Sequence, residues 1–194
     1  MSKTFPTVGL IADGPIAQMF MSPASSLGIE LLHLSSQDAA NSNLQNCDVV
    51  TLADQYNSLI IAKKLQADGI TVRPSFSALS FSADTFNSKF DHDSTICVTV
   101  ARSPHGQATT WAPTQILRSN GTWIMSITPA PQLSDEVNAK AQQLALDTAA
   151  SAGAVGVIAV EMLLKDDDVI LVDVQMHPSA SGNWTVNGSI TSQY

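Results

Sequence analysis

Positive charge, cysteine and long apolar runs are all scarce in this sequence of 194 residues. Only 9 residues are Lys or Arg, against 17 Asp and Glu, which gives a formal net charge of −8. Because nucleic-acid binding requires basic residues to neutralise phosphates, this composition argues against a nucleic-acid partner. No apolar run approaches the roughly 18 residues that a membrane span requires, and the N-terminus lacks the length of a signal peptide. We therefore expect neither a nucleic-acid nor a membrane partner.

The few cations are unevenly distributed along the chain. Residues 1–62 contain one Lys and residues 141–194 contain one, so the other seven lie within residues 63–140. A site that holds several phosphates must therefore draw on this middle segment or on backbone N–H groups.

The two cysteines, Cys47 and Cys97, each lie in an apolar, strand-like run without CxxC or Cys/His spacing. This pattern predicts two buried free thiols in a reducing cytoplasm, and the alternative is a disulfide or a metal role. The composition, 44% hydrophobic and 13% charged, is that of a folded protein and excludes a disordered chain.

The order of apolar runs and turn residues predicts an α/β fold in two parts. Short strands alternate with helices over roughly the first 75 residues, which is typical of a doubly wound parallel sheet. The rest reads as strands joined by turns such as Asn120-Gly121, with a helix that begins after Ser134. We expect one domain at 1–75 and a second at 76–194. Strands are predicted at 7–12, 29–34, 47–52, 70–72, 95–101, 108–112, 123–127, 155–164 and 169–174.

The carboxylates Glu161 and Asp173 are candidates for chemistry. Both lie in the predicted hairpin 155–174, and residues on paired antiparallel strands can face each other. Two such carboxylates could reach one divalent cation, and magnesium is commonly held by one or two carboxylates together with nucleotide phosphates. Glu161 also interrupts the apolar run VGVIAVEML, where a charge needs a partner or a metal. The alternative is a pair of carboxylates at the surface or rim.

The turn between the first strand and the first helix is a weaker candidate, for phosphate binding. Gly14 is its single glycine, Pro15 has no N–H to donate, and Asp13 adds negative charge. The alternative is an ordinary turn. Ser179 and Ser181 stand outside a GxSxG context, so we assign no catalytic residue.

Six segments carry a resemblance to a known family. They are VGLIADGPIAQM (8–19), CDVVT (47–51), ADGITVRPS (67–75), SITPAPQLSDEV (126–137), AGAVGVIAVEMLL (152–164) and HPSASGNWTVNGSITSQY (177–194). In the same order, they resemble segments of carboxyaminoimidazole ribonucleotide synthetase, the ATPase subunit of phosphoribosylaminoimidazole carboxylase in purine synthesis. That family has an ATP-grasp fold. The resemblance implies a Rossmann-like pre-ATP-grasp parallel sheet plus a remnant, mostly antiparallel ATP-grasp sheet.

The chain departs from the family where ATP would bind. Around Lys89–Ser94 it passes from FNSKF, which resembles the end of a helix, directly to STICVTVAR, which resembles the strand beyond the ATP-clamp subdomain. The resemblance therefore implies that this subdomain is missing. The family's small C-terminal domain, expected after Tyr194, has no counterpart either, so we expect a truncated relative.

Site residues depart from the family as well. Its two metal-binding glutamates fall on Glu161 and Asp173, and the Asn beside the second falls on Val172. Its triple glycine becomes Ala12-Asp13-Gly14, and its Arg-Pro-His becomes His177-Pro178-Ser179. The resemblance implies Mg²⁺ as the cofactor and a small nucleotide or ribonucleotide as the ligand. The residues implied for ligand binding are Gly14, His177, Ser179, Ser181 and Gly182.

Three functions remain open. The first is a catalytically impaired relative of the synthetase with a binding or assembly role in the cytoplasm, because the clamp subdomain, the glycines and the cations are lost together. The second is an active, metal-dependent ligase-like enzyme, or a subunit of the carboxylase that acts with a partner chain. The third is a homodimeric module, because loss of a subdomain uncovers apolar sheet surface and the family is commonly dimeric.

Overall fold

The structure is a computed structural model that describes residues 5–39, 43–53, 58–85, 94–131 and 133–194. The chain divides into two compact units. The first comprises residues 1–80 together with Tyr194, and the second comprises residues 81–193. No helix in the described part of the chain is long and apolar enough to cross a membrane.

The first unit contains alternating strands and helices, as the sequence predicts. Its elements are β1 (Thr7–Ile11), α1 (Pro15–Ser26), β2 (Glu30–Leu34), α2 (Ser36–Ala39), β3 (Val49–Leu52), α3 (Ser58–Ala67), β4 (Val72–Arg73) and α4 (Phe76–Thr85). The four strands form a parallel sheet in the order β2-β1-β3-β4. The boundary with the second unit falls within α4. This topology confirms the predicted Rossmann-like parallel sheet.

The core of the first unit lies on both faces of the central strand β1. Leu10 packs with Ala17 of α1 in one buried cluster. Its neighbour Ile11 packs with Val50 of β3 and Ala62 of α3 in another. Successive strand residues point to opposite faces, so a strand buried on both sides reads as a continuous apolar run. The sequence TVGLI is such a run, which is why it forms the centre of the sheet.

The second unit is a six-stranded antiparallel sheet with one long helix. Its elements are β5 (Ser94–Arg102), β6 (Ala108–Thr110), β7 (Thr114–Ser119), β8 (Thr122–Ile127), α5 (Asp135–Ser151), β9 (Gly156–Lys165), β10 (Asp168–Gln175), a 3-10 turn (Ala180–Gly182) and α6 (Thr185–Gly188). The strands lie in the order β10-β9-β5-β7-β8, and β6 pairs with β5. The predicted antiparallel sheet is therefore confirmed.

One strand of this sheet, β7, is absent from the predicted strands. It precedes Asn120-Gly121, a residue pair that predicts a turn. Both turn residues have positive φ, 50° and 73°, the conformation that a tight hairpin turn requires. The turn therefore joins β7 to β8.

Helix α5 begins after Ser134, as its sequence predicts. The Ser134 hydroxyl accepts a hydrogen bond from the Val137 N–H at 3.2 Å, which satisfies a backbone donor at the start of the helix. Ala141, Ala145 and Ala149 are buried at four-residue spacing and form one apolar face. The helix contacts β5, β9 and β10.

The two faces of β5 and β9 differ in chemistry. On one face Val98 pairs with Val160, and both side chains are fully buried. On the other face Cys97 pairs with Glu161. Because paired residues of antiparallel strands point to the same side, this second face brings polar groups together inside the unit.

The two cysteines are not joined by a disulfide, and only Cys97 is buried. Cys97 lies within β5, whereas Cys47 precedes β3 and is half-buried. The prediction that both are buried is therefore wrong for Cys47, because its apolar run becomes a strand only from Val49 onward.

Candidate functional site

The buried carboxylate of Glu161 is bound by a cation of the chain itself. Nη2 of Arg118 lies 2.7 Å from Oε1 of Glu161, and the Thr95 hydroxyl donates to the same oxygen at 2.5 Å. Nη1 of Arg118 donates to Thr95 Oγ1 at 2.7 Å, which closes a three-membered network. The Glu161 and Arg118 side chains are 12% and 20% exposed. The partner that a charge in this apolar strand requires is therefore an arginine.

Three neighbouring strands position this network. Thr95 lies on β5, which pairs with β9 on one side and with β7 on the other. Arg118 follows an irregularity in the β7–β8 ladder and pairs with Trp123. The Arg118 guanidinium carbon lies 5.9 Å from the centre of the Trp123 ring, a cation–π arrangement. A carboxylate, a hydroxyl and an aromatic ring therefore hold the guanidinium.

A β-bulge in β10 places Asp173 beside Glu161. Leu171 pairs with Met162 and Asp173 pairs with Glu161, so Val172 is the extra residue between two consecutive positions of β9. In a regular ladder Val172 would occupy this position and Asp173 would face the opposite side of the sheet. The predicted juxtaposition of the two carboxylates on paired strands is therefore observed, and the bulge produces it.

Burial raises the pKa of two groups, Asp173 and Cys97, on the face of the sheet that carries Glu161. It raises the pKa of Asp173, and the negative charge of Glu161 adds to the effect. A long contact of 3.5 Å from Gln175 Nε2 to Asp173 Oδ2 acts in the opposite direction. Burial also raises the pKa of the Cys97 thiol to about 12. At neutral pH this thiol is protonated and is therefore a poor nucleophile.

The predicted ligand residues of the last segment hold that segment together. The Ser181 hydroxyl lies 3.1 Å from Cys97 Sγ, and Ser179 Oγ accepts a hydrogen bond from the Ser181 N–H at 3.4 Å. The Gln193 amide donates to the Ser179 carbonyl oxygen at 2.8 Å. Its side chain also covers Gly182, where a Cβ would lie 2.6 Å from Gln193 Cδ. Ser179, Ser181 and Gly182 are all buried.

His177 differs from these three residues in exposure. It is half-buried, and its Nδ1–H donates to the Pro178 carbonyl oxygen at 2.8 Å. Its proximity to Asp173 lowers the pKa of that carboxyl, against the larger effect of burial. Of the predicted ligand residues in the second unit, His177 is therefore the least buried, although its Nε2 atom is shielded from solvent.

Gly14 belongs to the first unit. It is exposed, has a φ of 66° and precedes Pro15 at the start of α1. The carboxylate of Asp13 accepts a hydrogen bond from the Ser36 N–H at 3.2 Å, at the start of α2. Asp13 therefore already accepts a hydrogen bond from the backbone N–H at the start of α2. The role of Gly14 in binding phosphate stays a prediction.

The arrangement around Glu161 does not fit a divalent cation as it stands. Magnesium takes oxygen ligands at about 2.0–2.1 Å in a near-octahedral shell. Glu161 Oε1 is already within hydrogen-bond distance of a guanidinium and a hydroxyl. Among the described residues no group of three His, Cys, Asp or Glu side chains could hold a metal ion. The metal-ligand role of Glu161 and Asp173 therefore stays a prediction, and it depends on the position of Arg118.

Sequence reasoning missed three contributors to this site. The sequence indicates Arg118 only indirectly, because most Lys and Arg residues lie in the middle segment of the chain. Nothing indicates Thr95 beyond its place in an apolar strand. Gln193 lies within the segment SITSQY that resembles the family, but nothing in its sequence indicates that it packs on Gly182.

Comparison with known proteins relates the chain to one family of enzymes. A model of the ATP-grasp domain matches residues 85–194. N5-carboxyaminoimidazole ribonucleotide synthase of Mycobacterium tuberculosis H37Rv is 45% identical over 96 residues, which is 49% of this chain and 22% of that protein. The same enzyme of Corynebacterium ammoniagenes is 33% identical over 104 residues, 51% of this chain and 25% of that protein. The matched segment is thus a quarter or less of the length of these relatives.

Solved structures with the same fold include three examples of this enzyme. The Thermus thermophilus synthetase has a TM-score of 0.81 at 15% identity, over 96% of this chain and 75% of that chain. The synthase from Aspergillus clavatus in complex with ATP has a TM-score of 0.81 at 18% identity, over 97% and 74%. Its complex with ADP and 5-aminoimidazole ribonucleotide has a TM-score of 0.80 at 17% identity, also over 97% and 74%. At these identities the likeness concerns the fold, and it agrees with the predicted fold class.

Proposed function

Because the chain belongs to the ATP-grasp family and is similar to N5-carboxyaminoimidazole ribonucleotide synthases, we propose that it is a catalytically impaired relative of these enzymes. Its role would be binding or assembly rather than ATP-driven carboxylation. The observation that carries the proposal is the short connection between α4 and β5.

Eight residues, 86–93, separate Thr85, the last described residue of α4, from Ser94, the first residue of β5. The connection itself lies outside the described residues, but its length is fixed by the sequence. At this point the resemblance places the subdomain that clamps ATP in the synthetases. A unit with its own hydrophobic core needs about 40 residues or more, so this connection is too short to supply a clamp.

The distribution of charge supports the same proposal. Phosphoryl transfer depends largely on positive charge placed around the transferred group. Lys165 is the only Lys or Arg in residues 141–194, and His177 stands where the family has an arginine. Arg118 is already paired with Glu161. These residues therefore offer little positive charge for a transferred phosphate.

We propose a small nucleotide or ribonucleotide as the ligand. The Aspergillus clavatus enzyme is bound to ADP and 5-aminoimidazole ribonucleotide in its solved structure, and these two compounds are the probes to use here. Calorimetric titration of each compound should give binding that weakens in His177→Ala. His105→Ala is a matched control, since His105 is an exposed histidine in a different turn. Equal binding by both variants would remove His177 from the proposed site.

The test of impaired catalysis is phosphate release from ATP. The purified chain is incubated with ATP, Mg²⁺, 5-aminoimidazole ribonucleotide and bicarbonate, beside the Mycobacterium tuberculosis synthase as positive control. We expect release no faster than in the protein-free control. Release that increases with the ribonucleotide would overturn the proposal. Release that appears only after a second purified polypeptide is added would favour the alternative, a ligase-like subunit.

A second role, as a homodimer, is favoured by the edge strand β8. It is the last strand of the sheet, and its sequence TWIMSI contains no charged residue. Trp123, Ile124 and Met125 are all exposed, with Ile124 65% exposed. Edge strands are usually protected by charge or proline, and an unprotected apolar edge favours pairing with a second strand. Two copies of β8 could pair about a twofold axis, in an interface made of the same surface twice.

A further inference from the structure

Building on the proposed function, we propose that the Arg118 guanidinium takes the place of a divalent cation at Glu161. The family's metal-binding carboxylates fall on Glu161 and Asp173, and in this chain a side-chain cation is bound to the first of them. The disagreement between the expected metal and the observed ion pair is the basis of the inference.

The guanidinium is fixed where it would compete with a metal. It contacts Glu161 Oε1 at 2.7 Å and Thr95 Oγ1 at 2.7 Å, while the Trp123 ring lies beside it. A metal ion bound to the same carboxylate oxygen would therefore meet a positive charge in direct contact with its ligand. The arginine side chain thus supplies a positive charge at the position where a metal would bind.

The carboxylate pair itself keeps an arrangement that could hold a cation. Asp173 and Glu161 are directly paired on β10 and β9, next to the bulge at Val172. Both face the side of the sheet that carries Cys97, and both are largely removed from solvent. Without Arg118, the buried Glu161 carboxylate and the half-buried Asp173 carboxylate would stand next to each other, with only His177 beside Asp173 to oppose their charge. A divalent cation would then be their natural counter-ion.

The experiment measures Mn²⁺ binding by titration calorimetry, in the full chain and without nucleotide. Arg118→Gln removes the guanidinium and should bind Mn²⁺ at least about tenfold more tightly than the unaltered chain, because Glu161 loses its counter-charge. Arg102→Gln is the matched control. Arg102 lies in the same unit but contacts the Ala154 carbonyl oxygen, so its loss removes the same charge without freeing a carboxylate.

Two further variants make the result specific. Adding Glu161→Gln to Arg118→Gln should abolish the gain, since the carboxylate that holds the metal is then absent. Arg118→Lys retains a positive charge and should bind Mn²⁺ as weakly as the unaltered chain. The inference is overturned if the unaltered chain binds as tightly as Arg118→Gln, or if Arg118→Gln binds no better than Arg102→Gln.

A loss of folding in Arg118→Gln would still give a decisive result. If this variant is unfolded in metal-free buffer, far-UV circular dichroism shows whether Mn²⁺ restores the folded spectrum. Restoration by Mn²⁺ supports the inference, and failure to restore it overturns the inference. The proposed function is tested by a different measurement. ATP turnover by the unaltered chain would contradict it, whatever the result of the Mn²⁺ titration without nucleotide.

Discussion

Asp173 lies directly across from Glu161 because Val172 is the extra residue of a β-bulge. Without the bulge, Asp173 would pair one position further along β9 and point to the opposite face of the sheet. The bulge therefore places the half-buried carboxylate of Asp173 beside the buried carboxylate of Glu161. Glu161 has Arg118 as its counter-charge, whereas the pKa of Asp173 is raised by burial and by the neighbouring negative charge.

This raised pKa predicts that Asp173→Asn stabilises the chain at neutral pH. The pKa of Asp173 is raised above the usual value of 3.8, so the folded chain holds this proton more tightly than the unfolded chain. The free energy of unfolding therefore falls as pH rises from 3.8 through the pKa of the folded state. Asp173→Asn removes this decrease in the free energy of unfolding, because an asparagine side chain does not ionise. Urea unfolding at a series of pH values should show a stability difference that grows with pH and vanishes below pH 3.8. A difference that is constant or decreases with pH would contradict this account.

The ion pair of Glu161 should make a large contribution to stability. Glu161→Ala leaves the Arg118 guanidinium without its counter-charge, which should cost about 3 kcal/mol in the free energy of unfolding. Replacing both residues by apolar ones, Glu161→Leu with Arg118→Met, should cost less than the single change. The exposed pair Glu136–Lys140 is the control, and Glu136→Ala should have little effect on urea unfolding. Equal losses for Glu161→Ala and Glu136→Ala would refute the prediction.

The close approach of Gln193 to Gly182 predicts a rescue. Gly182→Ala places a Cβ 2.6 Å from Gln193 Cδ, which should destabilise the chain by about 1–3 kcal/mol through overpacking. Gln193→Ala opens this space, so the double variant should lose less stability than the sum of the two single changes. Thermal unfolding of the three variants forms a double-mutant cycle. Strict additivity would show that the two residues do not contact each other.

Cys97 should resist thiol reagents in the folded chain. It is buried, and its pKa is raised to about 12, so almost no thiolate is present at neutral pH. In a Cys47→Ser background, Ellman's reagent should react with the remaining thiol only after denaturant is added. Rapid reaction of the native chain would contradict the burial of this face.

The apolar edge β8 predicts dimers that a single charge disrupts. Ile124→Lys places a charge at the most exposed apolar position of this strand and should shift the chain towards monomers in sedimentation velocity. The strand itself should remain, because Ile124 makes no part of the buried core. A sharply monomeric profile of the unaltered chain at high concentration would exclude this interface.

Much of the fold follows from local sequence pattern. The run TVGLI predicts a strand, because it is apolar at successive positions. The cap at Ser134 and the Asn120-Gly121 turn each have a conformation that their residue types favour. Strand β7 (TQILRS) is missed because polar and apolar residues do not alternate regularly along it. A six-residue run of this kind does not indicate a strand unless the neighbouring strands are known.

The site is less predictable because it depends on register between distant strands. Glu161 and Asp173 can be placed on one hairpin from the sequence, but the bulge at Val172 that aligns them leaves no pattern in the chain. Arg118 is 43 residues from Glu161 and lies on the strand that the pattern misses. Its pairing is set by the strand order β9-β5-β7, which is tertiary information.

The most direct measurement of the central claim is a single-turnover experiment with ATP labelled on its γ-phosphate. The chain is held in excess over ATP, with Mg²⁺, bicarbonate and 5-aminoimidazole ribonucleotide present. The proposed impairment predicts that the label stays in ATP for as long as it does in the protein-free control. Transfer of the label to inorganic phosphate faster than in that control, and dependent on the ribonucleotide, would contradict the account.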